Sequence, residues 1–138
     1  MKTNKVFLGG TCAETTWRKE LIGLIQVEHF DPVVEDWTEE CNAIEEAEKE
    51  INCNIHLYVI TADMIGVYSI AEVIQSSLTK GKSTILHVIP DGFGKAQLKS
   101  LDAVCGLVRG NGAIAYIDNE LARTARVINF AFKTTGLE

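Results

Sequence analysis

A single carboxylate, Glu72, ends a segment in which an apolar strand, a short glycine-containing turn and a helix start follow one another: Leu57-Tyr-Val-Ile-Thr61-Ala-Asp-Met-Ile-Gly66-Val-Tyr-Ser-Ile-Ala-Glu72. Two readings compete for it. Ser69 with a glutamate three residues on is the capping-box pattern, in which the glutamate closes a helix end. Alternatively, Glu72 projects into a cleft beyond the strand as a reacting group. A carboxylate can attack an anomeric carbon, form a glycosyl ester and so divide one difficult substitution into two easier ones. The leaving group then needs a proton or a hydrogen bond, for which Asp36, Asp63 and the glutamates of the acidic run at residues 39–50 are candidates. Gly9-Gly10, followed by Thr11 and Cys12, allows close approach of a ligand to the backbone and leaves amides for polar oxygens.

The elements that must position these residues alternate along the chain. Residues 5–8 read as a first strand, ended by Gly9-Gly10, and residues 14–26 as a helix with Trp17, Leu21, Leu24 and Ile25 near helical spacing. Residues 29–34 form a second strand whose Pro32 suits a sheet edge. After the loop Glu35-Asp36-Trp37, Thr38 caps an acidic helix reaching residue 51, with Cys41, Ile44, Ala47, Glu48 and Ile51 on one face. The acidic run is otherwise a solvated face, with Glu48 or Glu50 the members to turn inward. Strands follow at 55–60, 83–89 and 113–117, and helices at 69–80, 95–108 and 119–133, the first of these helices starting at Ser69.

Strict alternation with near-continuous apolar strands predicts a parallel sheet covered on both faces. Five strands predict an α/β fold with one doubly wound sheet in the flavodoxin-like order 2-1-3-4-5. With no repeat, linker or low-complexity stretch, residues 1–138 read as a single domain. In that order the crevice opens between strands 1 and 3, beyond their carboxyl ends. Gly9, Gly10, Thr11 and Cys12 reach it from strand 1, residues 61–72 from strand 3, and residues 31–37 form a side wall. Topology therefore favours the cleft reading of Glu72.

Composition narrows the partners. A chain of 138 residues with 46% hydrophobic and 23% charged residues predicts a soluble globular protein. No apolar run approaches bilayer length and the N-terminus lacks signal-peptide features, so a cytoplasmic protein without a membrane partner is expected. The net charge of −6 and scattered lysines argue against a nucleic-acid polymer, while leaving small anionic ligands open. Four widely separated cysteines and three histidines off zinc spacing predict no metal site, and no cofactor motif is evident. Gly9-Gly10-Thr11-Cys12-Ala13-Glu14 is not a dinucleotide fingerprint, and no phosphate-loop or phospho-receiver pattern is complete. His56 and His87 fall within strands and read as packing residues, Trp17 as core, and Arg18 as a surface or ion-pair residue.

Three blocks carry a likeness to a known family: Val6-Phe-Leu-Gly-Gly-Thr11 with Trp17-Arg18, Phe30-Asp-Pro-Val-Val34 with Asp36-Trp37, and Gly66-Val-Tyr-Ser-Ile-Ala-Glu72. Over residues 5–89 the chain resembles the nucleoside 2-deoxyribosyltransferase-like family. The resemblance implies that Glu72 is the nucleophile carrying a glycosyl group between bases of small-molecule nucleosides or nucleotides. It implies that Gly9, Gly10 and Thr11 line the sugar or phosphate side, that Asp36 and Trp37 face the base, and that Gly66 and Ser69 belong to the turn before the nucleophile. An aspartate assisting the base falls near Gly66 in that pattern, and Asp63 approximates it. The resemblance further implies a homo-oligomer whose pocket is completed by a neighbour. Resolution of the ester by a base gives transfer and by water gives hydrolysis, as in an N-glycoside hydrolase of nucleotides or NAD-like molecules. A non-catalytic binder of nucleotide-derived ligands is the alternative from another class.

Overall fold

The computed structural model describes residues 4–12, 15–34 and 38–132. Glu14 at the expected start of the first helix, the base-side candidates Asp36 and Trp37, and Lys133 lie outside the described residues. Five strands, β1 (Lys5–Gly10), β2 (Glu28–Phe30), β3 (Ile55–Ile60), β4 (Ser83–Val88) and β5 (Ile114–Ile117), form one parallel sheet in the order β2-β1-β3-β4-β5. The intervening helices are α1 (Trp17–Ile22), α2 (Glu39–Ala47), α3 (Tyr68–Ser77), α4 (Lys95–Gly110) and α5 (Leu121–Ala131). The last turn after α2, Glu48–Asn52, is π-helical. This is the doubly wound, flavodoxin-like arrangement that the alternating pattern predicts.

Side chains alternate between the two faces of a strand, and here both faces are covered. Ile55, Leu57 and Val59 pack with Trp17, Leu21 and Ile128 under α1 and α5. Tyr58 and Ile60 pack with Val73, Leu101 and Cys105 under α3 and α4. All six residues of β3 are buried. Burying a large apolar side chain contributes about 1.5–3 kcal/mol, so the strand with five large apolar side chains, β3, takes the centre of the sheet. No helix among the described residues is long and apolar enough to cross a membrane.

Several boundaries differ from expectation for local reasons. β1 extends through both glycines, Gly9 pairing with Tyr58 and Gly10 with Val59. A β-carbon on Gly9 would lie 2.7 Å from Tyr58 Cε1, and one on Gly10 would lie 2.1 Å from the Val59 carbonyl oxygen. Gly10 also has φ +111°, which side chains with a β-carbon rarely adopt. These glycines permit close approach of β1 to β3 rather than forming a loop after it. β2 stops at Phe30, ahead of Pro32, whose missing N–H cannot extend the ladder. Asp31 Oδ1 instead accepts a hydrogen bond from the Val33 amide at 2.9 Å, turning the chain away.

α3 begins at Tyr68, one residue before the expected start, with Val67 at the capping position and no side-chain cap. Ser69 is thus the second helical residue, and the capping-box reading of Ser69 and Glu72 fails. Thr38 does cap α2, its hydroxyl accepting from the Cys41 amide at 3.2 Å. The face that α2 presents is the opposite of the expected one. Ile44 is 58% exposed and Ile51 77% exposed, while Glu45, Glu46 and Lys49 turn toward the sheet.

Candidate active site

Local structure converges on the end of β1. Thr11 donates its amide to the Val59 carbonyl at 2.9 Å and accepts the Thr61 amide on its hydroxyl at 2.9 Å, locking the two strand ends together. The Thr11 amide is therefore already bonded, contrary to the free-amide expectation for this segment. Beneath it lies Arg18, which is buried rather than on the surface but does make an ion pair, its Nε lying 3.7 Å from Asp31 Oδ1. Its Nε donates to the Leu8 carbonyl at 2.9 Å and its Nη1 to the Thr11 carbonyl at 2.7 Å, while Trp17 Nε1 donates to the same Thr11 oxygen at 3.0 Å. Burial pulls the guanidinium below its ordinary value, opposed by Cys12 and Asp31. The expectation that Trp17 is core holds.

Beyond this floor opens a cavity of about 360 Å³, lined by Gly10, Thr11 and Cys12 from the end of β1, Asn42, Glu45 and Glu46 from α2, and Gly66, Tyr68, Ser69 and Glu72 from the turn and α3. Glu72 is 13% exposed, and its Oε2 accepts from Lys49 Nζ at 3.1 Å. The same ammonium lies 3.1 Å from Glu46 Oε1 and 5.9 Å over the Phe7 ring. Burial alone would pull Lys49 down, but its bonds and charge interactions with Glu72 and Glu46 outweigh this and hold it above the ordinary lysine value. Glu45 has no such bond among the described residues, and burial followed by the charge of Glu72 pushes its carboxyl up. Burial and then the charges of Glu72, Glu46 and Glu45 likewise push the Tyr58 hydroxyl up.

An adjoining cavity of about 290 Å³ shares Glu72 and is bounded by Lys49, His56, Tyr58 and Ser76. A third depression, of about 520 Å³, lies against Trp17, Thr61, Ala62, Asp63, Asp91 and Asn119.

The structure brings together Gly10, Thr11, Gly66, Ser69 and Glu72 from the expected set. It places Gly9 under Tyr58, in a packing position, and Asp63 exposed in the third depression with neither Glu72 nor Ser69 on its lining. Asn42, Glu45, Glu46 and Lys49 complete the site, whereas Glu50 stays exposed and Glu48 pairs with Lys5 at 2.7 Å, at the amino end of β1. Their signal was present as a polar stripe spaced three and four residues apart along one helical face. His56 and His87 are buried in their strands, as expected.

Fold and site define a small doubly wound α/β domain with a carboxylate-centred crevice at the point where strand order reverses. A model of the family described as nucleoside 2-deoxyribosyltransferase like matches residues 3–90, more than half of the chain and every residue of the Glu72 cavity. The chain belongs to that family. No match was found among curated proteins or among solved structures. Membership implies a glycosyl-transferase-like enzyme for small-molecule nucleosides.

Proposed function

We propose that this protein cleaves the N-glycosidic bond of a nucleoside or nucleotide by transferring the glycosyl group to Glu72. The observation that carries the reading is the placement of Glu72: a mostly shielded carboxylate in a cavity at the switch point, with Oε2 tied to Lys49. Among the described residues Oε1 accepts no hydrogen bond, so it is the oxygen left to attack. As Oε1 bonds to the anomeric carbon, the carbon–nitrogen bond breaks and its electron pair leaves on the base.

Glu45 is the proton donor to that base. It lines the same cavity, and burial together with the charge of Glu72 favours its protonated form. The resulting glycosyl ester is resolved by a second base, which regenerates an N-glycoside, or by water. The attacking atom bonds to the anomeric carbon, the ester carbon–oxygen bond breaks with its pair returning to Glu72, and the Glu45 carboxylate accepts the proton of the attacking base or water. Asp63, expected in a catalytic role, is not used in this scheme because it lines a different depression.

A homo-oligomer is part of the proposal. Tyr68 lines the mouth of the cavity and is 71% exposed, and the apolar Ile44, Ile51, Ile65 and Val67 are exposed on the same two segments, α2 with its π turn and the loop into α3. Large exposed apolar surface of this kind favours burial against another chain.

Intact-protein mass spectrometry after mixing with deoxynucleosides, ribonucleosides and their 5′-monophosphates tests the reading, with chromatography for released base. A mass gain of one glycosyl unit that disappears in Glu72→Gln supports transfer through Glu72. Free base without an adduct identifies hydrolysis with a short-lived ester. Binding without adduct or base rejects catalysis and leaves a ligand-binding protein.

A further inference from the structure

We infer that Lys49 is the positioning residue of Glu72, and that the π-helical turn carrying it exists in this fold to place its ammonium. The inference rests on the reading of Glu72 as nucleophile and adds the group that sets which oxygen attacks. Lys49 is buried, yet it sits on the turn that follows an exposed acidic helix. A buried ammonium is costly unless it is paired and hydrogen-bonded. Here it bridges Glu46 Oε1 and Glu72 Oε2 at 3.1 Å each. Oε2 of Glu72 is thereby fixed, which leaves Oε1 for the attack.

The backbone of Lys49 is itself fixed. The Lys49 carbonyl lies 2.7 Å from His56 Nε2, and a carbonyl can only accept, so Nε2 carries the proton. Burial holds His56 neutral, its value pulled down to about 4. Nδ1 must then accept from the Ser76 hydroxyl at 2.8 Å, and Ser76 in turn accepts from Thr84 at 2.7 Å. Ser76 stands one helical turn after Glu72 on α3. A chain of bonds from β4 through α3 and β3 thus anchors the turn that holds the ammonium against the carboxylate. Widened turns of the π type are frequent at functional sites, and this one sets the reach of Lys49 to α3.

The test combines kinetics with a titration that needs no substrate. In Lys49→Met, kcat for the adduct-forming substrate should fall about 100-fold, the range for losing one charged contact at a reacting group, with KM held within a few fold. Lys49→Arg should recover most of the rate, which a purely structural role does not require. By NMR of the lysine side chains, Lys49 should titrate above the ordinary lysine range in the native chain and fall in Glu72→Gln. The titratable groups facing it are Glu45 and Glu46 from α2, Glu50 from its own turn, His56 and Tyr58 from β3, Glu72 from α3 and Lys82 before β4. All but Glu72 are unchanged in that variant.

Should Lys49→Met fail to fold, the titration decides, since it leaves position 49 intact. An unmoved Lys49 titration in Glu72→Gln, or an unchanged kcat in a folded Lys49→Met, overturns the inference while the nucleophile reading stands. If no nucleoside or nucleotide yields adduct or free base, the nucleophile reading falls and this inference falls with it.

Discussion

Arg18 and Thr11 are joined under the crevice: Nη1 of the buried guanidinium lies 2.7 Å from the Thr11 carbonyl oxygen, at the strand end that forms the cavity floor. With Nε on the Leu8 carbonyl and the ring of Trp17 4.3 Å away, the cation is fully engaged by the elements it connects. Arg18→Met removes the side-chain donor of the Leu8 carbonyl and one of the two donors of the Thr11 carbonyl, which keeps Trp17 Nε1, and should destabilise the fold by about 2–4 kcal/mol. Arg18→Lys should restore little, because a single ammonium cannot reproduce the planar fork. Urea denaturation of the three proteins measures both effects, and near-native stability of the lysine variant would contradict the account.

The glycines separate by environment. Gly10→Ala sets a β-carbon 2.1 Å from the Val59 carbonyl oxygen at φ +111°, so it should prevent folding or cost several kcal/mol. Gly66 has ordinary φ and nothing within 4 Å of an added β-carbon. Gly66→Ala should leave stability within about 0.5–1 kcal/mol, the usual range for an open surface position. Thermal melts of both variants check the contrast.

Glu45→Gln removes the proposed proton donor but keeps the nucleophile. Turnover of ordinary nucleosides should fall about 100-fold, while a glycosyl donor whose leaving group needs no proton should react nearly as in the native protein. Because the carboxyl is held above its ordinary value, the donor form persists to higher pH and disappears as pH rises through that raised value. The native rate should therefore decline on the basic side of this transition, and the decline should vanish in Glu45→Gln.

His56 links stability to pH. Its folded value is pulled from 6.5 to about 4 by burial, so between these limits the unfolded chain binds the extra proton. Stability from this group is present above 6.5 and is lost as pH falls toward 4, at about 1.4 kcal/mol per unit. Asp118, held below its ordinary 3.8 chiefly by the Arg123 hydrogen bond against the opposing effect of burial, acts lower on the scale. His56→Asn should flatten the unfolding free energy between pH 6.5 and 4 and leave the acid limb below it.

Much of this molecule was written in periodicity. Apolar runs bounded by Gly and Pro placed all five strands, and alternation with helices gave the sheet order and the position of the crevice. Glu72 followed from that topology as well as from the segment Gly66 to Glu72. What periodicity misjudged was α2. Its apolar residues Ile44 and Ile51 have helical spacing, yet they face outward, because the neighbouring surface is the polar crevice and not a core.

The sequence by itself determined that five strands form and in which stretches of the chain, since burial on two faces demands continuous apolar runs, and hence where strand order reverses. It overran β2, which stops at Phe30, and ended β1 before the two glycines that belong to it. Only the tertiary structure decided which charges meet there. Glu46, Lys49 and Glu72 are distributed over two helical segments, and the ion pairs among them depend on helix rotation and on the wide turn at 48–52. Glycine at 9 and 10 was visible in the sequence, but its reason was not: steric contact with Tyr58 and Val59 exists only once β1 lies against β3.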